Sequence, residues 1–302
     1  VVHKRKILIG SLSLTILLGG CSVEKLFMSK EERFNKEKYV SVQEYTGQGY
    51  DLRNGSKTDK IADDHLDEID EGVTKFFKEE YKTDVIVHNV VGAQGGASVF
   101  VESKGEPHFY TFAVVPIDKS TEEVKVDKVW SQEGQVENAL FTGIYGMVYE
   151  EEFTKLNNKL AEVAGKYNLV GKRGEAVANV GAGGFSNTYF YMSMHDKSFY
   201  PLLDQYLKNP DTNIEKFREI FNEINVDPNN ILITIHMFMA EKEVDPNEEA
   251  FNELVTAIEE MEGIPTGAYS IYLHDNRIGK GSATAGKDNT LERSNPNKII
   301  KK

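Results

Sequence analysis

The sequence predicts an α+β protein: helices packed on antiparallel sheets, in two lobes, behind a flexible lipidated N-terminal tether. Three observations predict it. Ile61, Leu66, Ile69, Val73, Phe76 and Phe77 recur at near-helical spacing and make one apolar face over residues 59–82. Residues 84–129 then read as successive strands rich in β-branched and aromatic residues, joined by "GAQGG" and "KGEP". Those connections are too short for crossover helices, so neighbouring strands run antiparallel. From about Gly134 helical periodicity returns and alternates with strands, and a boundary is expected at Ser131–Gly134.

The elements follow in order. His3, Lys4, Arg5 and Lys6 precede an uncharged, mostly apolar run from Ile7 to Leu18. This is the layout of a secretory signal over residues 1–20. The run is about a dozen residues, against the roughly 20 that span a bilayer as a helix. Cys21, the only cysteine in the chain, follows Gly19 and Gly20. Leu18-Gly19-Gly20-Cys21 resembles the lipobox of bacterial lipoproteins. The resemblance implies diacylglycerol on the Cys21 sulfur, cleavage before Cys21, and further acyl chains such as palmitate on the new amino group. Two or more acyl chains anchor stably where one holds only marginally. With Cys21 consumed, no thiol is left for a disulfide, and the fold rests on packing.

Residues 21–58 read as the tether, with Tyr39 to Leu52 as a segment that docks on the body. A first lobe is expected over 59–132: one helix, opened by Asp59 as its cap, and an antiparallel meander. A second lobe is expected over 133–282. "QVENALFTGIYGMVYEEEFTKLNNKLAEVAGKY" gives two helices, or one bent near Gly143 and Gly146. "TYFYMSMH" is a strand, and "FYPLLDQYLK" and "NIEKFREIFNEI" are short helices. "NILITIHMFMA" is an apolar strand buried on both faces. Asp245 or Asn247 caps the helix that ends at Gly263, and "GAYSIYLHDNRIGKG" closes as a hairpin. Residues 283–302 are expected as a loose basic tail.

Charge narrows the partners. The 302-residue chain carries a net charge of −13, which phosphate backbones repel, so no nucleic acid is expected. The end is the exception. Arg277, Lys280, Lys287, Arg293, Lys298, Lys301 and Lys302 face only Asp288 and Glu292 there, which suits anionic lipid or an envelope polymer.

Motifs of chemistry are sparse. "GAQGG" and "VGAGGFSN" lack the spacing of dinucleotide or P-loop sites and read as turns. No histidine pair has zinc-ligand spacing, the acidic residues from Asp63 to Glu71 do not match an EF-hand loop, and no metal or cofactor is expected. His195-Asp196 and His274-Asp275 suggest oriented imidazoles, yet adjacent strand residues point to opposite faces. His236, in its apolar strand, reads as a satisfied core residue. Ser186 and Ser282 stand outside any nucleophile elbow, so no catalytic residue is assigned.

The lipobox, "YTGQGYDLRNG", "PHFYTFAVVPI" and "GAYSIYLHDNRIGKGSATAGK" together resemble a family of Gram-positive lipoproteins from staphylococci and relatives, classed as a domain of unknown function. The resemblance implies anchoring at Cys21 on the outer face of the cell membrane and supplies no activity. The expected role is binding or interaction, with an envelope polymer or protein as partner. A transporter's solute-binding component is the alternative, and two lobes with parallel sheets would favour it. An envelope enzyme is the third reading; His195, His236 or His274 clustered with a carboxylate in a pocket would favour that one.

Overall fold

The computed structural model describes residues 37–224 and 226–302. The signal segment, Cys21 and the first part of the tether lie outside the described residues. Residues 1–38 and 39–302 are separate units, and the architecture below is that of the second. Among the described residues no helix is long and apolar enough to cross a membrane.

Strand β1 (Tyr39–Ser41) opens the body, followed by helices α1 (Ser56–Asp63) and α2 (Leu66–Tyr81). The single helix expected over 59–82 is therefore two. Asp59 lies in the first turn of α1 rather than at its cap, and its carboxylate accepts from the Gly92 N–H at 2.7 Å. An antiparallel sheet follows in the order β2 (Val85–Ala93), β3 (Gly96–Ser103), β4 (Tyr110–Asp118) and β5 (Glu123–Val124). The meander expected from short connections is present, with a register shift between Val87 and Asn89.

Helices α3 (Gln135–Val148) and α4 (Glu150–Tyr167) meet at Tyr149, not at Gly143 or Gly146. Both glycines lie inside α3 and face neighbours. A Cβ on Gly146 would sit 2.6 Å from the Phe185 ring. Beyond them come β6 (Leu169–Val170), α5 (Gly174–Val180), β7 (Phe190–Ser193), α6 (Tyr200–Lys208) and α7 (Ile214–Ile224). Then follow β8 (Leu232–Met239), α8 (Glu248–Glu260), β9 (Gly267–His274), β10 (Arg277–Gly279), β11 (Leu291–Arg293) and β12 (Ile299–Lys301). Asn247 caps α8: its side chain accepts from the Ala250 N–H at 2.9 Å.

The second sheet is mixed. β8 and β9 run parallel at its centre, because α8 supplies the crossover between them. β6 and β7 pair antiparallel with β8, and β11 and β12 pair antiparallel with β9. β8 is not buried on both faces. Ile233, Ile235 and Met237 point into the core, while Leu232, Thr234 and His236 on the other face are half-buried.

Three expectations about organisation differ from the structure. The two lobes share one core: Val73, Phe77 and Val99 belong to the same cluster as Leu140, Leu156, Ile235 and Ile271. The tether, expected to run to residue 58, gives way to the body at β1: the segment from Tyr39 docks as expected, since β1 pairs with β10, and α1 packs on β2. The basic end is not loose. Lys287 ion-pairs with Asp275 at 2.9 Å, Arg293 with Glu259 at 3.3 Å, and β11 and β12 complete the sheet. The expected hairpin is also replaced. Buried Asn276 donates to the carbonyls of Met239 and Ala240 at 2.8 and 3.0 Å, and β10 leaves β9 to pair with β1.

Candidate ligand-binding site

Alternation on the mixed sheet sorts its side chains into two faces. One carries Ile233, Ile235, Met237, Tyr269, Ile271 and Leu273 and closes on the core. The other brings Tyr191 of β7, His236 of β8, and Tyr272 and His274 of β9 side by side. Their rings are near parallel: Tyr191 on His236 at 5.7 Å and 14°, His236 on Tyr272 at 4.9 Å and 10°, His236 on His274 at 5.1 Å and 11°. The parallel register makes this possible. His236 lies opposite Tyr272 and Phe238 opposite His274, so the two imidazoles meet on the diagonal.

The imidazoles are bonded to each other. His236 Nδ1 lies 2.8 Å from His274 Nε2, and His274 Nδ1 lies 3.0 Å from Thr290 Oγ1. Thr290 Oγ1 in turn accepts from the Lys287 N–H at 3.0 Å. Burial pushes His274 down to about 3, helped by Lys287 and Lys172 against a smaller opposing pull from Asp275. Burial also holds His236 well below the usual imidazole range, with His274 and Lys172 adding to it. Both rings are therefore neutral at pH 7.

His236 opens onto a cavity of about 240 Å³. Ala176, Val177 and Val180 of α5 form an apolar wall; Tyr50, Tyr189 and Tyr191 add rings. The glycine-rich loop 181–183 and Ser282 close the rim. The flanking loops are tied down: Asn179 Nδ2 donates to the Thr46 carbonyl at 2.7 Å, and the Tyr45 hydroxyl to the Lys280 carbonyl at 2.9 Å. Lys172, two residues beyond β6, also lines the cavity. Desolvation lowers its pKa, and among the described residues its ammonium has no acidic partner.

The remaining candidates divide as follows. His274 and Asp275 do not act together. Desolvation works to raise the Asp275 pKa, but bonds from Lys287, the Arg277 N–H and the Arg277 guanidinium hold it below the carboxylate range. His195 is exposed and joins neither ring, and Asp196 caps a short turn through the Ser198 N–H. His65 pairs with Glu68 on the surface. His88 and His108 both grip Glu102, at 2.7 and 2.8 Å. Ser186 donates to the Gly184 carbonyl at 3.2 Å, and Ser282 bonds Thr284 at 2.7 Å. Sequence reasoning missed Lys172; it named His236 and His274 as candidates, and the strand register bonds them to each other rather than to a carboxylate. A wider depression of about 550 Å³ beside His108 and Phe153 is less promising, because its histidine and its asparagine pair are spent on protein. His108 bonds Glu102, and Asn187 bonds Asn157 at 2.9 Å.

The comparisons bear on the fold. The structure superposes on the crystal structure of a DUF1672 family protein from Staphylococcus aureus subsp. aureus Mu50 with a TM-score of 0.72 and 18% identity. The match covers 88% of this chain and 98% of that one. The comparison with curated proteins gives no significant match. Residues 32–301 match the family described as "Protein of unknown function (DUF1672)", and the chain belongs to that family.

Proposed function

We propose that this protein is a lipid-anchored protein of the outer cell surface whose body binds a small ligand in the cavity beside His236. The leader-like residues 1–20 and the Gly-Gly-Cys21 sequence support the anchor. One observation carries the binding role: the cavity presents polar tips that no described side chain satisfies, above all the Lys172 ammonium, beside apolar and aromatic walls. Binding is favoured over catalysis because, among the described residues, no carboxylate bonds the histidine pair. It is favoured over a transporter's solute-binding component because, among the described residues, the main core cluster spans both sheets and β8–β9 is the only parallel strand pair.

Native mass spectrometry of the protein purified from a host that lipidates it tests both halves. A small molecule should co-purify with the wild type and be absent from Ala182→Phe, which fills the cavity. Equal spectra for the two would count against the binding site. Diacylglycerol should appear on the N-terminal Cys21 peptide, and Cys21→Ala should move the protein from the detergent phase to the medium. An unmodified Cys21 thiol on membrane-retained protein would rule out the anchor.

A further inference from the structure

We propose that the cavity takes a small organic carboxylate, with its carboxyl group on the Lys172 ammonium and the free ring nitrogen of His236. The inference rests on the binding reading above and names the ligand's chemistry.

Lys172 gives the first reason. A desolvated ammonium is costly unless an anion neutralises it. Two other cations near this face have a carboxylate: Arg277 and Lys287 both pair with Asp275, at 2.9 Å each. Lys172 has none among the described residues, and it lines the same cavity as His236. The missing counter-charge therefore belongs to whatever fills the cavity.

The hydrogen-bond chain gives the second. Thr290 Oγ1 already accepts from the Lys287 N–H, and its hydroxyl hydrogen has one neighbour to serve, His274 Nδ1. With Thr290 donating, His274 carries its hydrogen on Nε2 and donates to His236 Nδ1. His236 then carries its own hydrogen on Nε2, the nitrogen left for the cavity. The opposite order would leave the Thr290 hydroxyl hydrogen without an acceptor among the described residues. The chain thus fixes His236 as a neutral donor. Ala182 and Gly183 also line the cavity, and their backbone N–H groups have no acceptor among the described residues.

Charge and size select the class. One ammonium beside two neutral imidazoles matches a single negative charge, so it suits a carboxylate better than a doubly charged phosphate. The volume of about 240 Å³ lies below the usual range for drug-sized ligands, and the walls from Val177, Val180 and the tyrosines suit an apolar body.

The test is calorimetric titration of the detergent-solubilised full chain with four probes: benzoate, hexanoate, phenyl phosphate and the neutral benzamide. Benzoate should bind at least tenfold more tightly than benzamide, which is the scale of one hydrogen bond to a charged group. Lys172→Met should erase that ratio. Should Lys172→Met not fold, the wild-type ratio together with Lys172→Gln decides. Equal binding of benzoate and benzamide, both abolished by Ala182→Phe, would overturn the carboxylate inference and leave the binding site standing. Tighter binding of phenyl phosphate than of either carboxylate would also overturn it. No binding by any probe would overturn both.

Discussion

Gly146→Ala should destabilise the body, although it replaces glycine inside a helix. Alanine at an unobstructed helical position gains roughly 0.5–1 kcal/mol over glycine. At Gly146 the new methyl would lie 2.6, 2.7 and 2.8 Å from Cδ2, Cε2 and Cγ of Phe185. Carbon atoms pack at about 3.5–4.0 Å, so the ring must retreat by most of an ångström. It has little room to do so. Phe185 stands edge-on to Phe153 at 4.9 Å, and Phe153 stacks on Phe190 at 5.6 Å. Overpacking of this kind costs about 1–3 kcal/mol, which exceeds the propensity gain. A net loss of about 1–2 kcal/mol follows, at about 2–4 °C of Tm per kcal/mol for a body of this order of size. Gly165→Ala is the control, because that glycine lies in α4, exposed, with nothing within 4 Å of its would-be Cβ. It should gain up to about 1 kcal/mol. Urea titration with unchanged slope, together with calorimetry, reads both variants. Changes of the same sign in the two would refute the packing argument.

Acid should weaken the fold through His274. Its folded pKa of about 3 lies below the unfolded value, so the unfolded chain takes up a proton that the folded one refuses. Stability then falls as pH drops below about 6.5, by about 2 kcal/mol between pH 7 and pH 5, and His274→Gln should flatten that slope in urea midpoints. Glu102 has the depressed pKa of a carboxylate held by His108 and His88 against its own desolvation, so its contribution is lost only at lower pH, as its folded pKa is crossed. Asn276→Ala leaves the Met239 and Ala240 carbonyls unpaired and should cost about 2–3 kcal/mol. Limited proteolysis should then cut within residues 42–56 first; unchanged protection would disprove the role given to Asn276. Truncation after Thr290 removes β11 and β12 and bares one edge of β9. Cooperative unfolding at the wild-type Tm after that cut would contradict the sheet order.

Local pattern carried the class of the fold. The meander from β2 to β4 was legible because two short turns leave no room for anything but antiparallel pairing. The parallel pair was equally implied, since β8 and β9 are separated by a helix, but the short connections upstream set the expectation for both sheets. Strands of three residues defeat periodicity: "LER" and "IIK" hold too few residues to show alternation, and their charge pointed to a solvated end. The helix break at Asp64–His65 was hidden because Ile61, Leu66 and Ile69 keep a helical rhythm across it. His236 was read as satisfied, and it is, through His274. Its second ring nitrogen, the stack with Tyr272 and the approach of Lys172 depend on register between distant strands, which no local window contains.

The manner in which β9 is flanked sets an order of events for the chain. The strand rests on β8 along one edge, and its other edge is taken first by residues 291–293 and then by 299–301. The opening strand, at residues 39–41, finds its partner only at 277–279. A nascent chain that has not yet emerged as far as Arg277 thus holds residues 39–41 without their partner, and β9 keeps a bare edge until residues 291–301 follow. Contacts of such long separation are entropically costly to form early. Pairing of residues 39–41 and closure of the mixed sheet are therefore late events, which wait for residues 277–301 to be made.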